Sequence, residues 1–278
     1  MNRLCVLSTF ALVVAAAVMT SAQGRQSTLV VTSSNTAANE LLVYDTTGTL
    51  VQSVSTEGQG GVGGNAGGIA TQKGVIAVVN FSSLTVSIFE RDGDGFDLRQ
   101  IVPTASQPVS VAFGTNHLYI LGATTVESHR ILNGSVDASP DGTTALLRAD
   151  GSAAQVGVIG NQLVITEKSG VIELVSLQDG AVAGSAVSVP LPADSSDTPF
   201  GLVTRGSNAY VTIAHSDLVG LVKNGQLIAV GATGSDFPNG PGEQSPCWAA
   251  AGGLVVRSVR RGALGQPASG PYLGRGLG

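Results

Sequence analysis

Short apolar runs separated by turns rich in glycine and asparagine recur along the chain. The clearest example starts at Pro199, where an apolar run is followed by the turn Gly206–Asn208 and a β-branched run from Ala209 to Ala214. Runs of this length bounded by turn residues are typical of β-strands. Four other positions begin the same two-run pattern: Gly68, Pro108, Gln155 and Pro246. No segment after residue 22 carries a sustained helical period, so the pattern predicts an all-β protein.

The repeats are spaced by about 40–47 residues, the length of one four-stranded propeller blade. We therefore predict a β-propeller of four-stranded antiparallel blades that covers residues 28–248. The blades are expected at about 28–67 (partial), 68–107, 108–153, 154–198 and 199–245, with the start of a further blade at 246. The first group lacks an innermost strand. Either a strand from elsewhere in the chain completes this blade, or the ring is incomplete.

Composition agrees with many short strands and narrows the function. Only 12% of the 278 residues are charged, whereas 43% are apolar and 38 are glycine, which suits strands joined by tight turns. The net charge of −5 gives no basis for binding nucleic acid or an anionic membrane. The chain has three histidines and two cysteines, too few to predict a histidine-based metal site or a disulfide framework. We predict no metal site and no cofactor.

Residues 1–22 have the features of a signal peptide. Arg3 supplies a positive charge, Leu4–Met19 is apolar, and Thr20–Ala22 offers small residues before a cleavage site. This apolar run is short for a transmembrane helix, which is the alternative. We therefore expect a secreted or periplasmic protein with no membrane span after cleavage, in which Cys247 remains as the one thiol.

Two glycine-rich stretches invite a functional interpretation that the sequence does not favour. Glu57–Gly68 is followed by a strand pattern, whereas a phosphate-binding loop precedes a helix, so we predict a flexible loop between blades. Asp92, Asp94 and Asp97 resemble part of a calcium loop. The distal glutamate of that motif is missing, and Asp-Gly pairs favour a hairpin turn.

The last part of the chain differs from the rest. Residues 249–278 are rich in glycine and arginine and have no acidic residue. We predict one strand near Val255–Val259 and disorder elsewhere in this tail. Two explanations stay open: a basic tail that binds anionic surfaces, or a segment encoded by a shifted reading frame.

Two motifs of the last repeats resemble a known family. Thr198-Pro199-Phe200-Gly201 is followed by the YVTN-type run that starts at Tyr210, and Gly242–Ala249 contains a Pro-Cys-Trp element. Over residues 28–248 the chain resembles the lactonase-like seven-bladed β-propellers, the group of 6-phosphogluconolactonase and 3-carboxymuconate cyclase, and most of all their exported bacterial branch. Seven blades need roughly 300 residues, so this resemblance implies a truncated chain or an unusual blade count.

The resemblance suggests where chemistry would occur. Opening a lactone requires a general base that activates water and a polar group that holds the developing oxyanion. His215 is the candidate base, Glu167 the residue that orients it, and Arg205 the oxyanion donor. Asn80, which is a second possible donor, Asp197 and Glu243 are the candidate ligand-binding residues, in loops predicted on the same face. Polar residues at strand ends also commonly satisfy turn backbone or face water, which is the alternative.

The remaining histidines are predicted to be solvated. His117 precedes a strand on the opposite face, where a turn residue is expected, and Glu127 with His129 is expected to be a surface pair. The sequence leaves two main hypotheses for function. One is an exported propeller that binds a small molecule or protein on its face, or acts as a scaffold; the other is a lactone hydrolase or related muconate cyclase.

Overall fold

The described part of the chain consists of strands joined by turns, with one short 3₁₀ helix at Phe81–Ser83. The computed structural model describes residues 27–191, 193, 198–216, 218–232, 246–252 and 255–260. Its strands are β1 (Val30–Ser33), β2 (Glu40–Tyr44), β3 (Leu50–Ser55), β4 (Ile69–Gln72), β5 (Val75–Asn80), β6 (Thr85–Asp92), β7 (Gly95–Pro103), β8 (Pro108–Phe113), β9 (His117–Gly122), β10 (Thr125–Leu132), β11 (Ser135–Val136), β12 (Gly142–Ala145), β13 (Ala153–Ile159), β14 (Gln162–Glu167), β15 (Val171–Gln178), β16 (Ala181–Val189), β17 (Thr198–Arg205), β18 (Asn208–Ala214), β19 (Leu218–Lys223), β20 (Gln226–Ala232), β21 (Pro246–Gly252) and β22 (Val255–Arg260). None of the described segments forms an apolar helix long enough to cross a bilayer.

Strands that follow one another in the chain pair antiparallel to form successive sheets. Three sheets have four strands, in the order β4 to β7, β13 to β16 and β17 to β20. The sheet of β8 to β12 has the same form, with its outer strand divided into β11 and β12, which both pair with β10. A three-stranded sheet, β1 to β3, comes before these, and the pair β21 and β22 comes after them.

The sheets are arranged around a common axis. The first strand of each sheet contacts the first strand of the next, from β4 to β8, β13, β17 and β21 in turn. Apolar side chains fill the space between adjacent sheets: Ala77 and Val86 of one sheet pack with Val111 and Ile120 of the next. The predicted all-β propeller, with about five blades represented, is thereby confirmed.

The first strand of a sheet is its inner strand, closest to the axis. In β8, β13, β17 and β21 the inner strand has a β-bulge near its first residue. The register with the second strand shifts between Pro108 and Ser110, and again between Ala153 and Gln155. The same shift occurs in β17 and in β21. A bulge at a strand end redirects the side chains around it, and here it brings residues of several blades together at one end of the axis. We call this end, which is marked by the bulges at Pro108–Ser110, Ala153–Gln155 and Pro199–Leu202, the channel mouth.

The glycine-rich segment Glu57–Gly68, which was predicted to be a flexible loop, is packed against its neighbours. Asn35 binds it through both ends of its side chain, because Oδ1 accepts from the Gly61 N–H at 2.8 Å and Nδ2 donates to the Val62 carbonyl at 2.8 Å. A Cβ on Gly60 would lie 2.5 Å from the Asn35 backbone. A glycine can allow a turn, or it can allow another backbone segment to pack closely against it, as Asn35 does against Gly60. The glycine content of a segment does not show which of the two applies.

The last described strands reach further along the chain than the predicted domain limit at 248. The strand expected near Val255–Val259 is present as β22, and it pairs with β21 from Gly252 and Val255 outward. The predicted signal peptide at residues 1–22, and residues 261–278 of the predicted tail, lie outside the described residues.

Candidate functional site

The rim of the channel mouth carries polar residues at equivalent places in successive blades. Asn80 and Glu167 each end the second strand of a blade. Ser87 and Glu173 each occupy the third position of the following strand, diagonally across from them. Diagonal neighbours on one face of an antiparallel pair lie within reach of long side chains. The fold thus pairs Asn80 with Ser87, and Glu167 with Glu173, at the same height in two blades.

Glu173 and Glu167 form a buried carboxyl pair. Both side chains are fully buried. Glu173 Oε1 accepts a hydrogen bond from the Leu147 N–H at 2.7 Å, whereas its Oε2 is buried with no hydrogen-bond partner within 3.5 Å in the described structure. Burial, followed by the proximity and negative charge of the Glu167 carboxylate, raises the pKa of Glu173 to about 8. Glu173 is therefore protonated at neutral pH, and two ionised carboxylates are not forced together.

Glu167 holds a neighbouring loop and does not face open solvent. Its Oε2 accepts a hydrogen bond from Ser152 Oγ at 3.1 Å, and its Oε1 accepts a longer one from the Arg148 N–H at 3.4 Å. These contacts, with that of Glu173 to Leu147, fix the loop that enters the fourth sheet. A carboxylate satisfied in this way is a structural anchor more than an available base.

His215 lies apart from the carboxyl pair. It is exposed, it has a left-handed backbone with φ of +67°, and its Nδ1 lies 3.4 Å from Thr198 Oγ1. Among the described residues, no hydrogen bond or ion pair joins His215 to Glu167. The two residues are on neighbouring blades as predicted, but the predicted base and its orienting carboxylate are not coupled.

Arg205 is at the wrong end of its blade to serve His215. In the pairing of β17 with β18, Arg205 lies opposite Asn208, whereas Thr198 lies opposite Ala214, the residue before His215. The eight residues of β17 span roughly 23 Å at about 3.3 Å per residue. Arg205 therefore cannot hold an oxyanion formed beside His215. The prediction was wrong because the hairpin turn reverses the chain between these two residues.

Asn80 is a buried structural residue. Its Oδ1 accepts from Asn39 Nδ2 at 2.9 Å, and its Nδ2 donates to Ser87 Oγ at 2.7 Å and to Thr85 Oγ1 at 3.1 Å. Ser87 in turn donates to the Thr56 carbonyl at 2.6 Å. This network joins the first two sheets, and it leaves Asn80 no donor for a ligand. Asp197 and Glu243, the other candidate ligand-binding residues, lie outside the described residues.

Two histidines predicted to be solvated are fully buried instead. Asp141 accepts hydrogen bonds from Ser128 Oγ at 2.7 Å and from His117 Nε2 at 2.8 Å. Burial raises the pKa of Asp141, but the hydrogen bonds of Ser128 and His117 and the charge of His117 outweigh it, so the net shift is downward. Ser128 and His117 both bind the carboxylate and not each other, so the set lacks the order of a nucleophile, base and orienting acid.

The burial of His129 was also missed from the sequence. Nor was it recognised that Glu127, two residues earlier, occupies a position that repeats from blade to blade. His129 Nδ1 donates to the Asp137 carbonyl at 2.8 Å. Glu127 accepts from the Ala105 N–H at 2.9 Å, as Glu173 accepts from Leu147 in the next blade. Ser87, Glu127 and Glu173 share the third position of their strands, which the sequence shows once the blades are aligned. No cluster of three or more metal-ligating side chains is found in the part of the chain that the structure describes.

Comparison with known proteins supports the architecture and no more. No protein-family model matches the chain, and a search of curated proteins gives no match. Among solved structures, it is similar to a streptogramin B lyase (TM-score 0.59, 15% identity, 80% of this chain and 70% of that chain covered). It is also similar to a 6-phosphogluconolactonase candidate from Bacteroides uniformis (0.58, 16%, 84% and 74%) and to the WD40 β-propeller domain of Doa1 (0.55, 12%, 83% and 71%). Identities this low show the shared propeller fold.

Proposed function

We propose that this chain is an exported β-propeller protein that binds a partner or serves as a scaffold, and that it is not a hydrolase. The observation that supports this most is the state of the predicted catalytic pair. Glu167 is fully buried and bound to Ser152 and Arg148, while His215 is exposed and uncoupled from it. A general base needs a partner that sets its orientation and protonation, and His215 has none in this role.

A lactone hydrolase, or a related muconate cyclase, is the second candidate. It is favoured by the Pro-Phe-Gly and Pro-Cys-Trp elements and by the likeness to a 6-phosphogluconolactonase candidate. A catalytic role would require His215 to act without Glu167 and with an oxyanion donor other than Arg205. The geometry of the rim gives this candidate less support than it gives binding.

A lactone-hydrolysis assay separates the two candidates. The full chain and His215→Ala are compared on 6-phosphogluconolactone and on a simple δ-lactone, with buffer as the blank. We expect no rate above the blank for either protein. A rate in the full chain that is lost in His215→Ala would overturn the proposal.

Export is tested by fractionating cells that express the chain with and without residues 1–22, since only the chain that retains these residues should leave the cytoplasm.

A further inference from the structure

Part of the glycine-rich segment crosses the channel mouth and binds the inner strands of two other blades. We call residues Val62–Gly67 the strap. The Asn65 side-chain amide donates to the Val109 carbonyl. The Ala66 N–H donates to the Ala154 carbonyl at 3.0 Å, and the Val111 N–H donates to the Gly67 carbonyl at 2.8 Å. Three consecutive strap residues are therefore held by β8 and β13, as a bound peptide would be.

Ala66 fits into a small apolar recess. Its side chain is 4% exposed, and it packs in a cluster with Ala154, Phe200 and Ala214, which Cys247 adjoins. These residues come from β13, β17, β18 and β21. Gly63 and Gly64 are exposed, and the other strap residues are partly exposed. A methyl group is thus the one strap side chain that the recess encloses.

The recess also presents polar groups that match a peptide backbone. Lys168 Nζ donates to the Gly64 carbonyl at 2.8 Å and to the Ala153 carbonyl at 3.1 Å. Ser110 Oγ donates to the Gly67 carbonyl at 3.2 Å. Without the strap, the recess would offer donors at Lys168 and Ser110 and an acceptor at Ala154. A peptide supplies the complementary carbonyl and N–H groups at this spacing.

The strap has little apolar surface to hold it in this position. It has three glycines, and a fourth follows it at Gly68. Glycine loses more conformational freedom on ordering than any other residue, and one buried methyl group offsets little of that loss. The strap therefore rests on a few hydrogen bonds that another peptide could replace.

We infer that the channel mouth is a binding recess for a short glycine-containing peptide with a small residue at its centre, and that the strap occupies this recess as an intramolecular ligand. This rests on the proposed binding function and names the chemical class of its partner. A partner peptide places its carbonyl groups on Lys168 and Ser110, its N–H on the Ala154 carbonyl, and an alanine-sized side chain among Ala154, Phe200 and Ala214.

Ala66→Asp in the full chain tests this inference, because it puts a charge into the apolar recess and releases the strap while the recess stays unchanged. The probe is a labelled peptide of residues 62–68, the strap followed by Gly68, acetyl-VGGNAGG-amide, and its control is acetyl-VGGNDGG-amide. In the unaltered chain the tethered strap competes at an effective concentration of roughly millimolar. We expect the alanine peptide to bind Ala66→Asp at least about tenfold more tightly than it binds the unaltered chain. The aspartate peptide should bind neither protein.

Amide hydrogen exchange shows whether the strap has been released. Exchange of the Val111 amide should rise about tenfold in Ala66→Asp, since its acceptor is the Gly67 carbonyl. The Leu177 amide, which donates to the Asn161 carbonyl away from the channel mouth, should stay protected in a folded variant. Asn65→Ala removes only the bond to Val109 and should give smaller rises in exchange and peptide binding; it carries the test if Ala66→Asp does not fold.

Two results would overturn the inference. One is faster Val111 exchange with equal affinity for the alanine and aspartate peptides, which would show that no recess selects a small residue. The other is unchanged Val111 exchange in both variants, which would show that the strap is not a removable occupant. Lactone hydrolysis by the unaltered chain would overturn the proposed function without affecting either readout, so the two failures are distinguishable.

Discussion

Glu173→Gln should stabilise the protein at neutral pH. Glutamine keeps the shape of the side chain and can still accept from the Leu147 N–H. Its neutral amide, like the protonated carboxyl, places no second negative charge beside Glu167. The change removes only the need to take up a proton when the chain folds. Most substitutions of fully buried residues destabilise, so a gain in stability would be specific to this carboxyl pair.

The magnitude follows from the raised pKa of Glu173, which is about 8 in the folded protein against an ordinary 4.5. Below the ordinary pKa both states are protonated and no stability is lost. As pH rises from about 4.5 to about 8, the unfolded carboxyl ionises first, and stability falls. At pH 7 the loss is about 3 kcal/mol, since one pKa unit corresponds to about 1.4 kcal/mol. Because the buried glutamine amide also costs some desolvation, we expect a net gain of roughly 2 kcal/mol.

Urea unfolding of the two proteins at pH 5, 6, 7 and 8 measures this gain. The difference between them should be below about 1 kcal/mol at pH 5 and should grow toward pH 8. Glu90→Gln is the control, because that side chain is 61% exposed and its loss should change stability by no more than about 0.5 kcal/mol. A Glu173→Gln protein that is less stable at pH 7, or that keeps the pH dependence of the unaltered chain, would refute the reasoning.

Asp141→Asn should destabilise the fold by roughly 2–3 kcal/mol, because it weakens the acceptor for Ser128 and His117; Asp137→Asn, at an exposed side chain nearby, should be close to neutral in the same urea assay. Equal effects of the two changes would argue against a stabilising role for the Asp141 hydrogen bonds. Gly67→Ala should cost more than Gly48→Ala. Both glycines have positive φ, but a Cβ on Gly67 would lie 2.8 Å from Ser110 Oγ, whereas Gly48 has open space. The difference in melting temperature isolates that contact, and no difference would contradict it.

The repeating part of the fold was predictable from local pattern. Alternating apolar residues such as Val86 and Ile88, bounded by Asp-Gly and Asn-Gly turns, define strands and hairpins without knowledge of their neighbours. The period of the repeat then indicates blades. The proline at the start of a repeat, as at Pro108 and Pro199, marked the inner strands, although the bulge that follows was not foreseen.

The errors concern residues whose surroundings come from another blade. His117 follows a turn in the sequence, yet Gly180 of the next sheet lies so close that a Cβ there would overlap the His117 ring. Glu167 ends a strand, which suggested exposure, but the loop at Arg148–Ser152 covers it. Arg205 was placed correctly on the strand before His215, but it was assigned to the wrong end of that blade. Local pattern gives the direction of a strand but not what the adjacent sheet places over it.

Hydrogen exchange on the unaltered full chain tests most directly whether the channel mouth is closed by a packed segment. The amides of Gly61, Ala66 and Val111, which are bonded to Asn35, Ala154 and Gly67, should exchange well below the rate of an unprotected peptide. Exchange of these amides at the unprotected rate, while the second strands β9 and β14 stay protected, would show an open mouth and contradict the account.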